Sequence, residues 1–360
     1  MTARRTRAPV SLCAGLALGA ACLMAACSAS PVPPELKEAE RLERQGDHDR
    51  ALAAYARATD TCQKISDADR RAARCGEAHL HRAELLERMG RKREAAEAYL
   101  EVPEAVDEPE AAGRATYHAG RIYLELGDDA RSYELLWHAV IEYPNQLAAA
   151  DAVKLLTDDG RRRAPRELYS VFRELWGALA DTDIAAHLAF AMAELAEQEL
   201  GDARAALELY DEISEAYPES GLYDEALWRG ARLARELGDP DGALARYRQI
   251  LATREELPFG FGATHSPHAD DALLESARIH RDELGEYRRA VALFRELPER
   301  FPDSRLHDDA MFERGVTWAR ASEPRRACAA LARLAARWPD SRYELERGPA
   351  LRDELRCDEL

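Results

Sequence analysis

The chain has 360 residues, of which 67 are acidic and 50 are basic, so its formal net charge is −17. This acidity excludes the class of proteins that bind nucleic acid or anionic lipid through a basic surface, because like charges repel. Hydrophobic residues make up 46% of the chain and aromatic residues only 7%. The many alanines favour an ordered, helical body.

The first segment, residues 1–26, is predicted to be a lipoprotein signal peptide. Three arginines precede an uncharged run from Val10 to Ala26, which is typical of a signal-peptide core and short for a membrane span. The run ends in Leu-Met-Ala-Ala-Cys at residues 23–27. This ending resembles a lipobox, in which small residues precede a cysteine that receives diacylglycerol, so we expect lipidation of Cys27.

Residues 27–34 are predicted to be a tether, because small residues and three prolines favour an extended chain. Ser28 follows the cysteine, which by resemblance to sorting in two-membrane bacteria indicates the outer membrane. We therefore expect a lipid-anchored protein with its body in the periplasm. Two alternatives stay open: an ordinary secretory signal cleaved near Ala29, and an uncleaved anchor.

A repeated unit begins at residue 35. In its clearest copy Gly201-Asp202 is followed by Ala206, Tyr210 and Ile213, whose spacing of i, i+4 and i+7 places them on one helical face. Seven copies share this frame, and in four of them an aromatic-proline pair lies beyond it. These pairs are Tyr143-Pro144, Tyr217-Pro218, Phe301-Pro302 and Trp338-Pro339.

Each punctuating residue has a physical reason. The glycine ends one helix in the left-handed conformation that other residues resist. The acidic residue after it faces the unsatisfied amides at the start of the next helix. The proline ends that second helix because it cannot continue the hydrogen-bond ladder. The sequence therefore predicts a series of helical hairpins.

The Ala-x3-aromatic-x7-Pro pattern of the second helix resembles the tetratricopeptide repeat family. The resemblance implies an all-α fold, a right-handed α-α superhelical solenoid of about eight helical hairpins over residues 35–341. An aromatic-Pro-acid-Ser motif at 217–220, 301–304 and 338–341 is similar to an envelope subfamily. That subfamily includes the Tol-Pal-associated periplasmic protein and the lipoprotein of the β-barrel assembly machine, which implies export and a partner-binding role.

Three segments depart from the regular repeat. Residues 145–180 form a degenerate unit, which we interpret as a divergent hairpin because Pro165 is tolerated in a first helical turn. Residues 257–268 are an inserted loop that presents Phe259 and Phe261 as candidate partner-binding residues, or folds back to cover a gap between repeats. Residues 342–360 are predicted to form a C-terminal capping helix.

Four cysteines follow Cys27 and are candidates for disulfides in an oxidising compartment. They fall as one close pair near each end of the array: Cys62, Cys75, Cys328 and Cys357. Four cysteines allow three connectivities, of which Cys62–Cys75 with Cys328–Cys357 is the local one. Free buried thiols are the alternative.

The sequence contains no P-loop, no zincin motif, no nucleophile elbow and no Cys-x-x-Cys. His265 and His268 have no further metal ligand near them in sequence, so we expect exposed loop histidines. His79, one helical turn after Cys75, is likewise expected at the surface beside a disulfide. We expect no catalytic residue, no metal and no cofactor.

The predicted function is a protein-protein interaction scaffold in the cell envelope, supporting envelope assembly or maintenance. Candidate partner-binding residues on first helices are Tyr117, Arg121, Trp228, Arg232 and Phe312, because aromatic and arginine side chains dominate binding hot spots; the alternative for each is packing between repeats. The expected partners are envelope proteins or peptides and the membrane through the lipid, with no nucleic acid. Two other functions stay open: a secretion pilot or assembly chaperone for one client, and a helical domain associated with peptidoglycan-processing enzymes.

Overall fold

The computed structural model describes residues 34–62, 64, 68–256 and 263–359. The predicted signal peptide and the candidate residues Cys27, Phe259 and Phe261 lie outside these ranges. The chain divides into two compact units, one up to Glu108 and one from Pro109 onward.

The first unit contains two helical hairpins among its described residues. Its helices are α1 (Pro34–Arg44), α2 (His48–Cys62), α3 (Ala68–Arg88) and α4 (Lys92–Ala105). Leu36, Tyr55 and Leu85 are buried in its core. A disulfide joins Cys62 to Cys75, with 5.5 Å between their Cα atoms, and so links the end of α2 to α3.

Over its described residues, the second unit contains six further hairpins. Their helices are α5 (Pro109–Glu125), α6 (Asp129–Glu142), α7 (Leu147–Arg163), α8 (Pro165–Ala178), α9 (Ala185–Leu195), α10 (Ala203–Ala216), α11 (Tyr223–Glu236), α12 (Pro240–Ala252), α13 (Ala269–Asp282), α14 (Tyr287–Arg300), α15 (His307–Arg320) and α16 (Pro324–Arg337). The predicted all-α fold of helical hairpins is therefore confirmed over the described residues. Odd-numbered helices from α1 to α15 are the first helices of their hairpins, and even-numbered ones are the second.

The residues that separate the helices have the expected backbone conformations and hydrogen bonds. Six glycines between the two helices of a hairpin have positive φ, from 67° at Gly201 to 82° at Gly238, and Ser322 takes the same conformation at the seventh position. At three helix starts an aspartate accepts a hydrogen bond from a backbone amide of the first turn. These aspartates are Asp128, Asp202 and Asp239.

Small residues within the helices allow close helix packing. A Cβ atom added at Gly120 would lie 3.1 Å from Leu136, and one added at Gly160 would lie 2.7 Å from Leu168. No room therefore exists for larger side chains at these crossings. The second contact joins α7 to α8, the divergent hairpin, in which Pro165 occupies the first turn of α8.

Two segments differ from a plain hairpin series. After α12 the strands β1 (Arg254–Glu256) and β2 (Ala263–His265) pair antiparallel, with Arg254 opposite His265. The predicted single C-terminal helix is wrong, because the segment splits into α17 (Arg342–Glu346), α18 (Gly348–Glu354) and a 3₁₀ turn, Cys357–Glu359. Pro349 follows Gly348 at the start of α18 and cannot donate to a continuous ladder.

A second disulfide joins Cys328 of α16 to Cys357, again with 5.5 Å between the Cα atoms. Tyr343 of α17 is buried and donates a hydrogen bond to Asp309 of α15 (2.5 Å). These contacts hold the terminal segment on the last hairpin, as a capping element requires. No helix within the described ranges combines the length and the apolar composition needed to cross a membrane.

Candidate binding groove

A groove of about 490 Å³ runs across the first helices α7, α9 and α11 of the second unit. We call it the A-helix groove. Its walls carry apolar, basic and acidic side chains together, among them Lys154, His187, Phe190 and Arg229. A cavity of about 560 Å³ lies beside it, lined by residues of α11, α12 and α13. Residues of α11 line both cavities.

Phe190, Glu194 and Arg229 line the A-helix groove. Together with Tyr210 and Glu197 they form what we call the Tyr210 site. Arg229 donates to Glu194 (2.9 Å) and to the Tyr210 hydroxyl (3.5 Å), and its guanidinium lies 5.0 Å from the centre of the Phe190 ring. The Tyr210 hydroxyl in turn donates to Glu197 (2.9 Å). The long side chain of Arg229 therefore fills the space between two helices.

The electrostatics of the Tyr210 site follow from these bonds. Burial alone would lower the pKa of Arg229, but its hydrogen bonds to Glu225 and Tyr210 and the charge of Glu194 raise it above its ordinary value. Burial raises the pKa of Tyr210. The guanidinium thus stays charged and the phenol stays protonated, and the site is complete without a ligand.

The second cavity contains the Tyr247 site, which consists of Trp228, Arg232, Arg235, Tyr247 and Glu275. Arg235 donates to Glu275 (2.7 Å), and the rings of Trp228 and Tyr247 lie 5.5 Å apart. Arg232 is half exposed and lies 3.7 Å from Glu236, beyond hydrogen-bond distance. This site presents an aromatic wall and an exposed cation.

The two sites occupy equivalent positions in successive repeats. The buried alanines Ala193, Ala231 and Ala277 give a common frame for α9, α11 and α13. In that frame Phe190 corresponds to Trp228, so both sites have an aromatic residue at this position. The charged positions are reversed. Glu194 and Glu197 of the first site correspond to Arg232 and Arg235 of the second, and Arg229 corresponds to Glu275. The same backbone arrangement therefore carries opposite electrostatics in neighbouring hairpins.

His268 connects the two sites. Its ring is stacked on Trp228, with ring centres 5.3 Å apart and planes 4° from parallel, and its Nε2 lies 2.9 Å from Glu225. The expectation of an exposed loop histidine is wrong here, because the ring covers Trp228 and its side chain is 23% exposed. His79 is also buried rather than at the surface. Within the described residues no group of three or more His, Cys, Asp and Glu side chains is arranged to hold a metal ion.

The structure brings two of the predicted residues together and separates the others. Trp228 and Arg232 line the same cavity. Tyr117 of α5 is half-buried against the core, its ring 5.4 Å from that of His118, and burial raises its pKa. Arg121 pairs with Glu125 one turn further along the same helix (2.6 Å).

Phe312 corrects the sequence-based expectation. Its side chain is only 1% exposed, and its ring stacks on Tyr343 with 4.8 Å between centres. The alternative that we gave for this residue, packing against other helices, is therefore correct. The C-terminal segment covers the face of α15 on which we predicted partner binding. Phe312 is a core residue.

Sequence reasoning missed Phe190, Glu194, Arg229 and His187. The first three were detectable, since Phe190 stands three residues before Ala193 as Trp228 stands three before Ala231. His187 carries no sequence signal of its own. Its Nδ1 is buried without a hydrogen-bond partner among the described residues, and burial lowers its pKa.

Two sequence profiles of the tetratricopeptide repeat match parts of the chain. One profile of the tetratricopeptide repeat matches residues 36–109, 228–305 and 279–342, and a second profile of that repeat matches residues 188–220. Among curated proteins none matches the sequence.

Several solved structures are similar to this chain at low sequence identity. The C-terminal part of a TPR repeat-containing protein from Cytophaga hutchinsonii is 12% identical, with a TM-score of 0.42 over 86% of this chain and 98% of that chain. YrrB, a TPR protein with an unusual peptide-binding site, is 14% identical, with a TM-score of 0.36 over 69% and 97%. PilW, a type IV pilus biogenesis factor, is 14% identical, with a TM-score of 0.37 over 75% and 96%.

Proposed function

The chain belongs to the tetratricopeptide repeat family, whose profile matches more than half of its residues, and we propose that it is a non-catalytic scaffold that binds a protein or peptide along the A-helix groove. The observation that carries this proposal is the groove itself, a continuous surface on the first helices of three successive hairpins. Stacked helix pairs bind partners through such extended surfaces.

The lining of the groove suits a polypeptide ligand. Phe190 and Leu222 offer apolar surface, while Lys154, Asp151 and Glu194 offer both signs of charge. A polypeptide presents apolar side chains, charges and backbone amides together, and a mixed wall can match all three. Lys154 is 75% exposed, so its ammonium group is accessible to a partner.

The envelope location is the second part of the proposal. It is supported by the signal-peptide pattern and by Cys27, which would carry the lipid that holds the protein at the outer membrane with its body in the periplasm. The two cysteine pairs of the folded part are consistent with an oxidising compartment. In this setting the scaffold serves envelope assembly or maintenance.

Photo-crosslinking in living cells tests both parts. A benzoyl-phenylalanine placed at Lys154, in the groove, is compared with one at Glu208, an exposed residue of α10 that does not line the groove. We expect a defined envelope protein to be recovered from the Lys154 position and not from the Glu208 position. Mass spectrometry of the purified adduct identifies it.

The Cys27→Ser variant is the control for anchoring. It should fractionate away from the outer membrane and lose most of the adduct, while its circular dichroism spectrum stays unchanged. Equal adducts at both crosslinking positions, composed of bulk envelope proteins, would overturn the scaffold proposal. Unchanged fractionation of Cys27→Ser would overturn the anchor alone.

A further inference from the structure

Three buried tyrosines on second helices make the same hydrogen bond. Each hydroxyl donates to a glutamate near the end of the preceding first helix: Tyr55 to Glu43 (2.6 Å), Tyr99 to Glu87 (3.0 Å) and Tyr210 to Glu197 (2.9 Å). The glutamate lies 12, 12 and 13 residues before the tyrosine. The extra residue of the third pair coincides with a π-helical turn, Ala196–Leu200. The contact is thus a regular feature of these hairpins.

Tyr247 lacks this bond. The residue 12 positions before it is Arg235 instead of a glutamate. The side chain of Tyr247 is fully buried, and its hydroxyl has no hydrogen-bond partner in the described part of the chain. A buried hydroxyl without a partner loses the hydrogen bonds it makes to water in the unfolded chain, so a ligand that supplies one is favoured.

Three carboxylates line the cavity beside Tyr247: two are engaged by arginines, and the third, Glu236, is 62% exposed. Of the carboxylates that line it, Glu275 accepts from Arg235 (2.7 Å) and Arg278 (2.6 Å), and Glu283 accepts from Arg235 (2.5 Å). The Tyr247 hydroxyl has no partner in the described part of the chain, and the exposed guanidinium of Arg232 makes only a loose ion pair with Glu236 (3.7 Å). Both are satisfied by an acceptor that carries negative charge.

We propose that the Tyr247 site binds the side-chain carboxylate of a glutamate in a partner segment, which accepts hydrogen bonds from Tyr247 and Arg232. This rests on the proposed scaffold function and names the chemistry of one subsite. The guest takes the role that Glu43, Glu87 and Glu197 have in the other hairpins. Trp228 contacts the aliphatic part of the guest side chain.

The Tyr247 hydroxyl is buried in the free chain, so the guest reaches it only when side chains that line the cavity move. Arg232 and Glu236 line the cavity with exposed side chains, 51% and 62% respectively. Exposed side chains change rotamer rapidly. The guest carboxylate displaces Glu236 from the neighbourhood of Arg232 and takes its place.

Nuclear magnetic resonance on the full chain tests the subsite with small probes. The probes are N-acetyl-glutamate amide, N-acetyl-glutamine amide and N-acetyl-lysine amide. The reporter is the indole N–H signal of Trp228, identified by its loss in Trp228→Phe. We expect the glutamate probe to shift this signal saturably, the glutamine probe to bind more weakly, and the lysine probe to leave it unchanged.

Two variants and one matched control make the test specific. Tyr247→Phe should weaken the glutamate probe about tenfold, since a hydrogen bond to a charged group is lost. Arg232→Met removes the second donor but leaves Arg235 bonded to Glu275 and Glu283, so it should also weaken the glutamate probe. Tyr55→Phe, the same change in the first unit, should leave binding unchanged.

The outcomes separate this inference from the scaffold function. Equal binding of the glutamate and glutamine probes, preference for lysine, unchanged affinity of Tyr247→Phe, or no shift with any probe would each overturn the subsite. Crosslinking from Lys154 would still stand in those cases. If the subsite binds glutamate while crosslinking recovers no defined partner, the scaffold proposal fails and the subsite remains.

Discussion

The Tyr210 and Tyr247 sites show how neighbouring repeats of one fold diverge in chemistry. In the first, the long side chain of Arg229 closes the space and satisfies the phenol. In the second, the equivalent Glu275 is shorter and is held by Arg235, so Tyr247 stays without a partner. Charge is reversed at three equivalent positions of the two sites. As a result the Tyr210 hydroxyl is hydrogen-bonded within the chain, whereas the Tyr247 hydroxyl is left without a partner beside a cavity.

This difference matters because repeat folds stabilise themselves between neighbours. A repeat that completes its own polar contacts gains stability, whereas one that leaves a buried donor unmatched gives up part of that stability. A loss of stability of this kind is typical of functional sites. Substitutions in the two sites test this contrast.

Removing Arg229 should damage the Tyr210 site most. Arg229→Met leaves Glu194 and Glu225 without their cation, and all three side chains are only a fifth to a third exposed. We expect the free energy of unfolding to fall by about 2 kcal/mol, below the roughly 3–5 kcal/mol of fully buried pairs. Urea denaturation followed by circular dichroism measures the change.

The matched control for Arg229 is Arg232→Met on the same helix. Arg232 is half exposed and its pairing with Glu236 is loose, so its loss should change the free energy of unfolding by less than about 0.5 kcal/mol. Similar losses for both variants would contradict the view that only the first site is held by its own arginine.

Identical tyrosine substitutions should differ between the sites. Tyr210→Phe breaks the bond to Glu197 and should cost about 1–2 kcal/mol, because the partner is charged. Tyr247→Phe removes a buried hydroxyl that has no bond to lose, and should lie within about 0.5 kcal/mol of the native chain or above it. Thermal and urea unfolding of the two variants side by side decides this, and equal effects would remove the basis of the contrast.

His268 should make a smaller contribution that is shared by both sites. His268→Ala removes the stack on Trp228 and the contact with Glu225, and we expect a loss of about 1 kcal/mol. The change should also alter the fluorescence of Trp228, which Trp228→Phe identifies among the five tryptophans. Unaltered emission would mean that the stack does not persist in solution.

The sequence predicted the hairpins well because their signals are local. Left-handed glycines, capping aspartates and terminal prolines act on their own neighbours, as Gly201, Asp202 and Pro218 do around α10. The site was predicted in part. Trp228 and Arg232 were identified by their residue types. Whether they line a cavity, however, depends on the side chains that α12 and α13 place beside them.

The errors arise from such non-local contacts. Phe312 was a candidate partner-binding residue, but it packs under the capping segment. Pro349 breaks that segment into short helices, which the helical pattern did not predict. The missing partner of Tyr247 is detectable only when Arg235 is compared with the glutamates of other hairpins. Repeat-to-repeat comparison of charge is therefore more informative here than any single motif.

The free energy of unfolding should depend on pH through His187 of the A-helix groove. His187 lines the A-helix groove beside Phe190, and burial lowers its pKa below the ordinary 6.5, although Asp183 and Asp151 oppose the shift. Well above pH 6.5 the imidazole is neutral in the folded and unfolded chains and adds no pH dependence. As the pH falls below 6.5, the unfolded chain binds a proton that the folded chain resists, so the free energy of unfolding decreases until the folded pKa is passed.

His187→Gln should therefore reduce the loss of stability on acidification, with a difference in slope of at most about 1.4 kcal/mol per pH unit for one proton. Urea denaturation of both chains at a series of pH values below 6.5 measures the two slopes. Arg229 and Tyr210 do not titrate in this range, and the carboxylates of the groove are the same in both chains, so the difference between the slopes reports on His187. Parallel curves would mean that the imidazole becomes protonated in the folded chain without cost, which requires the groove around His187 to admit water.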